Sequence, residues 1–232
     1  MIINSNRFAC ALFLYGAILL LWWLFSSQVF TVKNITYDKA PNENIKAELE
    51  NLKGKNIITL QTSKLITKWQ KEYPAIKYFR IYKGLPSTLR VNIEERSKAL
   101  VWKSQDQYYL IDTSGIAYKK TSAKEAHFAI VDDENLPVEL GRQIVSADFI
   151  SSAQNILDNV PDIIKDEKIV ELHVAESSFS VDVLTGANIR LKFDITQSLP
   201  LQYEALKYMY KEKRGDVKEY IDLRVVGKAY YK

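Results

Sequence analysis

The chain has 232 residues, long enough for one large domain or two small ones at ~150 residues per domain. With 47% hydrophobic and 26% charged residues, and only 8 Gly and 6 Pro, it is neither collagenous nor low-complexity, and it should bury real cores. Its 32 basic and 28 acidic residues are interspersed to a net charge of +4, which makes no electrostatic case for nucleic acid. The one cysteine, Cys10, allows neither a disulfide framework nor a cysteine-rich zinc site within a single chain.

No charged side chain occurs between Arg7 and Lys33, and residues 8–25 are apolar apart from Tyr15 and Gly16. As a helix these 18 residues span roughly 27 Å at ~1.5 Å each, and Ser26 to Phe30 can extend the run into the headgroup layer. Trp22 and Trp23 stand near its end, where amphipathic rings favour the interface. The stretch exceeds the ~7–15 residues of a signal-peptide core and no A-x-A site follows it, so an uncleaved anchor is expected. Cys10 lies at the start of the run rather than after it, which argues against lipoprotein processing. Arg7 and the amino group on one side against Lys33 and Lys39 on the other do not fix the orientation.

The next segment reads as strand, helix, helix, strand, strand. Val32 and Ile35 lie in an extended stretch; Pro41 and Asn42 open a helix carrying Ile45, Leu49 and Leu52, and Gly54 is placed for a left-handed C-cap. Thr62 or Ser63 is expected to cap a second helix with Leu65, Ile66, Trp69 and Tyr73 on one face, ended by Pro74. Ile76 to Lys83 and Thr88 to Glu94 are predicted strands around a turn at Gly84 to Ser87. In the second of them Leu89, Val91 and Ile93 alternate with polar residues. Two helices then cover one face of a three-stranded sheet.

This order resembles a POTRA domain. A membrane-type segment precedes Val32-x-x-Ile35 and Gly54-x-Asn56-Ile57. Tyr73-Pro74, Gly84-Leu85-Pro86-Ser87-Thr88-Leu89 and Val91-Asn92-Ile93-Glu94-Glu95-Arg96 then follow, in the order seen in the FtsQ/DivIB family of bacterial cell-division proteins.

Beyond residue 97 the pattern turns β-rich. Ala99 to Lys103 and Tyr108 to Asp112 predict a hairpin, Asp112-Thr113-Ser114-Gly115 a turn, Ile116 to Lys119 a strand, Ala129 to Val131 a short strand and residues 136–141 a loop. Ser146 is a helix cap before Phe149, Ile150, Ala153, Ile156, Leu157 and Val160, with closure expected at Pro161. Strands at 169–174, 179–184 and 189–193 should form a meander. A helix follows over 199–213, with Leu201, Ala205, Tyr208 and Met209 available to face the sheet. The chain then finishes in an alternating strand from Tyr220 to Val226.

That ending, Tyr220-Ile221-Asp222-Leu223-Arg224 with Gly227 and Tyr230, is also similar to the close of the FtsQ/DivIB β domain. The resemblance implies an α+β fold divided into a cytoplasmic tail (1–7), a transmembrane helix (8–29), a POTRA domain (30–96) and a β domain (97–232). It also implies a single-pass protein of the cytoplasmic membrane at the septum, N-terminus inside and bulk extracytoplasmic. Unlike longer members, the sequence ends at Lys232 with no extended tail and begins with a very short one.

Catalysis has no visible home. His127 and His173 stand in no metal-ligand spacing and read as surface or interface residues. Asp132-Asp133-Glu134 lacks the glycine and distal glutamate of a calcium loop and reads as a solvated turn. Ser114 and Ser178 lie in no G-x-S-x-G context, and no P-loop or G-x-G-x-x-G occurs. Neither cofactor nor small-molecule substrate is expected. Binding remains, and a terminal strand offers unpaired N–H and C=O groups to an added strand.

The family resemblance implies partners of the FtsB (DivIC) and FtsL kind, received by the last strands. This points to Asp222, Leu223, Arg224, Val225, Val226, Gly227 and Tyr230, with Arg224 available to a partner carboxylate and Gly227 to a close backbone approach. For Asp222, Arg224, Leu223 and Val225 the competing reading is an ordinary strand, wet on one face and core on the other. Tyr208, Tyr210 and Tyr231 can add aromatic area near that edge. Tyr78, Tyr82 and Lys83 form a secondary docking surface on the POTRA segment. The alternatives are a POTRA-containing protein of transport or envelope assembly, against which the single POTRA and missing barrel count, and an anchored hydrolase with a site scattered in sequence.

Overall fold

The computed structural model describes residues 5–123, 128–165, 167–174 and 179–232, with side chains for all of these except 5–8 and 24–26; His127 and Ser178 lie outside the described residues. The chain divides into two compact units, residues 1–95 and 96–232.

The first unit opens with helix α1 (Ser5–Ser26). Among the described residues no helix is long and apolar enough to cross a membrane. The described side chains of α1 run from 9 to 23, roughly 22 Å at ~1.5 Å per residue against ~30 Å of hydrocarbon. They are exposed apolar groups almost all round, including Leu12, Phe13, Leu14, Ile18 and Trp22.

Ser27 follows and caps a short 3-10 turn, Gln28–Phe30, by accepting from Val29 N. Strand β1 (Asn34–Tyr37), helices α2 (Glu43–Glu50) and α3 (Thr62–Glu72), and strands β2 (Ile76–Gly84) and β3 (Thr88–Glu95) then appear in the expected order. Asn42 caps α2 through a bond from Ile45 N; the helix closes at Asn51 in the right-handed region, so Gly54 is not its C-cap and instead takes φ +82° in the turn that follows. The expected cap of α3 fails: Thr62 is its first helical residue, and Gln61 precedes it without a side-chain cap bond.

In the sheet, β3 lies in the middle, parallel to β1 and antiparallel to β2. Its Leu89, Val91 and Ile93 are buried against Ile45, Leu49, Ile57 and Trp69 from the α2–α3 side. Trp69 is wholly buried and gives its indole N–H to Glu48 at 2.7 Å, which satisfies its one polar atom.

In the second unit, strands β4 (Leu100–Ser104), β5 (Gln107–Ile111), β6 (Ala117–Thr121), β7 (Ile130–Asp132), β8 (Ile169–Val174), β9 (Ser180–Thr185), β10 (Arg190–Asp194), β11 (Tyr220–Asp222) and β12 (Tyr230–Tyr231) form one sheet. Its order is β12-β11-β10-β9-β8-β7-β4-β5-β6. The expected meander is β8-β9-β10, antiparallel throughout. Short β7 is the joint: it runs parallel to both β4 and β8 and so fuses hairpin and meander into one sheet. Helices α4 (Ala147–Ile164) and α5 (Leu199–Glu212) supply Phe149, Ile156, Val160, Tyr203, Leu206 and Met209 to the same core as Trp102, Leu172, Val183, Leu191 and Phe193.

Two helix readings need correction. Pro161 does not close α4, which continues to Ile164: Lys165 N bonds Pro161 O, and Val160 and Ile164 are buried, which offsets the helix bond that proline forgoes. In α5 the buried face is Gln202, Tyr203, Leu206 and Met209, while Leu201 and Tyr208 are exposed. Gln202 is inside because its amide bonds Asp194 twice, accepting from the backbone N–H at 3.0 Å and donating to the carbonyl at 2.7 Å.

Candidate partner-binding edge

The nine-stranded sheet has two ends. At the β6 end, Ala117 exchanges backbone bonds with Gly141 and Arg142, Ile116 bridges Gln143, and Lys119 and Lys120 are exposed along the strand. Cover and lysines blunt that edge. At the other end β12 is the outermost strand, and among the described residues no strand pairs on its far side.

The chain does not run as the continuous strand predicted from Tyr220 to Val226. It is regular only through Asp222 in β11, which is an interior strand, parallel to β10 and antiparallel to β12. Leu223 N still bonds Lys192 O at 2.9 Å and its side chain is 1% exposed, so Leu223 is core. The chain then turns: Lys228 N bonds Val225 O at 3.0 Å, and Gly227 adopts φ +70°. That left-handed φ is itself a sufficient reason for glycine. Val225 and Val226 are exposed on the turn, and Tyr230 and Tyr231 return as the edge.

Lys232 shows how the edge is aimed. Its N–H bonds Tyr220 O, and its carbonyl accepts from Lys218 N and Glu219 N at 2.8 and 2.7 Å. Backbone groups alternate in direction along a strand, so the N–H and C=O of Tyr231 point away from the sheet. This short open edge is flanked by four exposed apolar side chains, Val225, Val226, Tyr230 and Tyr231.

Arg224, read from the sequence as available to a partner carboxylate, is paired within the chain. It donates through Nε and Nη2 to the two carboxylate oxygens of Asp222, at 2.9 and 2.5 Å, and its backbone N–H bonds Asp222 Oδ1 as well. Those side-chain bonds hold the Asp222 carboxyl below the usual aspartate range and raise the Arg224 guanidinium. Asp222 sits across from Lys192, and Lys192 from Asp182, whose carboxyl is pushed up by burial. The pair staples the start of the turn.

On the first unit the proposed trio Tyr78, Tyr82 and Lys83 is divided. Strand parity puts Tyr78, Arg80 and Tyr82 on the face away from the buried Phe79, and Lys83 on the Phe79 side, where its amine donates to Ile58 O at 2.9 Å. Tyr78 is engaged by Glu94 and by Arg80, whose guanidinium lies 4.4 Å from its ring centre; Tyr82 is half exposed.

The acidic run has a structural part. Asp132 is buried and accepts from Glu134 N and Leu136 N, forming the turn, while Asp133 Oδ1 is hydrogen-bonded to His173 Nδ1 at 2.8 Å. Among the described residues no group of three or more His, Cys, Asp or Glu is arranged to hold a metal. A cleft of about 550 Å3 beside the C-terminal end of α4 is lined by Lys165, Glu167, Lys207, Tyr210 and Arg214 among others. Its Glu167 is held by Arg214 and Tyr210, burial raises the Tyr210 hydroxyl, and no serine, cysteine, threonine or histidine is among its described lining.

Sequence reasoning missed Tyr230–Tyr231 as a strand of its own. A left-handed glycine turn followed by an aromatic pair was the available signal, although two residues are too few for a periodicity.

Comparison with known proteins accounts for nearly all of the chain after α1. Residues 31–96 match the POTRA domain, FtsQ-type, and residues 100–224 match the C-terminal region of the cell division protein FtsQ/DivIB. The chain is 29% identical over 163 residues to the cell division protein FtsQ of Chloroflexus aurantiacus, covering 68% of this chain and 57% of that protein. It is 26% identical over 230 residues to the FtsQ of Chloroflexus aggregans, covering 95% of this chain and 80% of that one. Two domain matches in this order, over an α+β fold with a POTRA-type first unit and a large second sheet, place the chain in the FtsQ/DivIB family of cell-division proteins.

Proposed function

We propose that the chain is a non-catalytic scaffold of the division machinery that receives an FtsB-like (DivIC-like) partner, in complex with an FtsL-like one, on the β12 edge and so links them to septal wall synthesis. The observation that carries this reading is the contrast between the two ends of the sheet: one covered and lysine-guarded, the other open and flanked by Val225, Val226, Tyr230 and Tyr231. An added strand pairs with the outward groups of Tyr231 and lays its side chains against those four.

In the same reading residues 1–7 are a cytoplasmic tail, 8–29 the membrane anchor, 30–96 the POTRA domain and 97–232 an extracytoplasmic β domain. A 22-residue helix whose described side chains are apolar and exposed almost all round supports the anchor, because such a helix requires an apolar environment.

Tyr231→Pro removes the outward N–H and leaves the inward bonds of Lys232 in place, so the fold should survive. Relative to Tyr231→Ala, which removes the side chain alone, it should weaken binding of the FtsB-like protein by about fivefold to tenfold, the worth of one backbone hydrogen bond. Equal affinity of the two variants, both folded, refutes strand addition at this edge. An N-terminal fluorescent fusion of the full chain should mark the constriction, and uniform envelope label in normally dividing cells refutes the division role.

A further inference from the structure

Within the first unit, α1 runs into the residues that follow it without a linker. Ser27 N bonds Trp23 O, the 3-10 turn follows at once, and the Trp23 ring meets Phe30 edge-on at 5.7 Å. Phe30 packs on the core of the unit and its carbonyl accepts from Ile57 N at 2.7 Å, while Val32 is 1% exposed. Three segments therefore meet beside the end of α1: residues 27–34, the 52–58 loop and the β2–β3 hairpin. Gly54 N bonds Val32 O, Val32 N bonds Lys55 O, and Lys33 N and Asn34 N both reach Ser87 O.

Charge is unevenly divided along this unit. Residues 27–37, 52–61 and 82–91 contain no Asp or Glu but carry Lys33, Lys53, Lys55, Lys83 and Arg90. Lys53 is paired with Glu50, while Lys33 and Lys55 are exposed and form no ion pair among the described residues. The acids Glu94 and Glu95 sit toward the other end of β3, roughly 20–25 Å from the hairpin at ~3.3 Å per strand residue, and Asp38, just past β1, lies roughly 16 Å from Lys33. The cationic end also carries the hairpin tip, where Leu85 is 63% exposed. Lysines around an exposed apolar tip, next to a tryptophan-ended apolar helix, have the chemistry of a lipid-headgroup contact.

We propose that this end of the POTRA unit docks on the bilayer surface, with Lys33, Lys55 and Lys83 on the phosphates of anionic lipids and Leu85 in the interfacial layer. The inference rests on α1 spanning the membrane. Docking fixes the tilt of this first unit above the bilayer. Each lysine is worth about fivefold in the docked-to-lifted ratio near an anionic surface.

The test uses the full chain in a Cys10→Ser background, reconstituted in phosphatidylcholine vesicles with or without phosphatidylglycerol. A bimane label on Leu85→Cys reads quenching by shallow doxyl lipids, and one on Leu14→Cys reads quenching by mid-chain doxyl lipids. The expected result is strong shallow quenching at position 85 that requires phosphatidylglycerol. It should fall about 25-fold in the docked-to-lifted ratio with Lys33→Gln and Lys55→Gln together. Mid-chain quenching at position 14 with none at 85 overturns the docking and leaves the anchor standing; quenching at neither site overturns both. Equal quenching at 85 with and without phosphatidylglycerol also overturns it, because the lysines would then contribute nothing.

Discussion

Asp222→Ala should loosen the open edge without unfolding the sheet. The Asp222 carboxylate makes a bidentate pair with Arg224 and accepts the Arg224 backbone N–H, and these bonds set the first residue of the turn that carries the chain from β11 to β12. The Arg224 side chain is 43% exposed, so the ion pair contributes only about 0.5–1 kcal/mol in solvent. The backbone bond adds about 1 kcal/mol. The combined loss of roughly 1.5–2 kcal/mol falls on a two-residue strand held by few bonds, chiefly Lys232 N to Tyr220 O and the two amides that reach Lys232 O. Local opening of β12 should become about 10–30 times more frequent while global stability hardly moves.

Native-state hydrogen exchange on the full chain reads this directly: the amides of Lys218, Glu219 and Lys232 should exchange faster by that factor, and those of Leu172 and Leu191 should not. Acid gives the same result by another route. The folded Asp222 pKa is depressed, so its stabilisation is full above the ordinary aspartate value near ~3.9, declines as pH falls below it, and is gone below the lowered folded value. Acceleration under twofold at Lys232 in Asp222→Ala refutes the view that this pair holds the edge.

Asp112 is 3% exposed, bonds Arg96, and accepts from Ser114 N and Ile116 N at 2.9 and 3.0 Å. Asp112→Ala should cost about 3–5 kcal/mol, read as a fall of roughly 10–20 °C in the melting transition of the second unit, with Asp112→Asn less harmful because it retains an acceptor for the turn. Gly115 sits at φ +75°, and a Cβ there would lie 2.0 Å from Val145 O. Gly115→Ala should therefore destabilise the same unit by about 2–5 kcal/mol in denaturant titration, whereas Gly54→Ala, with open space around it, should cost only its left-handed strain of about 1–2 kcal/mol.

The order of elements was legible in the sequence because it rests on local signals. Asn42 and Ser146 cap their helices, and the alternation of Leu89, Val91 and Ile93 marks a half-buried strand. The same ordered motifs carried the family. Tertiary structure decided the rest. A register shift between Ile76 and Tyr78 puts both Ile76 and Phe79 in the core, which strict alternation along the strand would not allow. Pairing between strands far apart in sequence made β7 the joint of a nine-stranded sheet and placed β11 inside it, leaving the edge to two tyrosines. Which N–H groups remain open depends on what lies beside each strand, and a chain's local preferences contain no record of its distant neighbours.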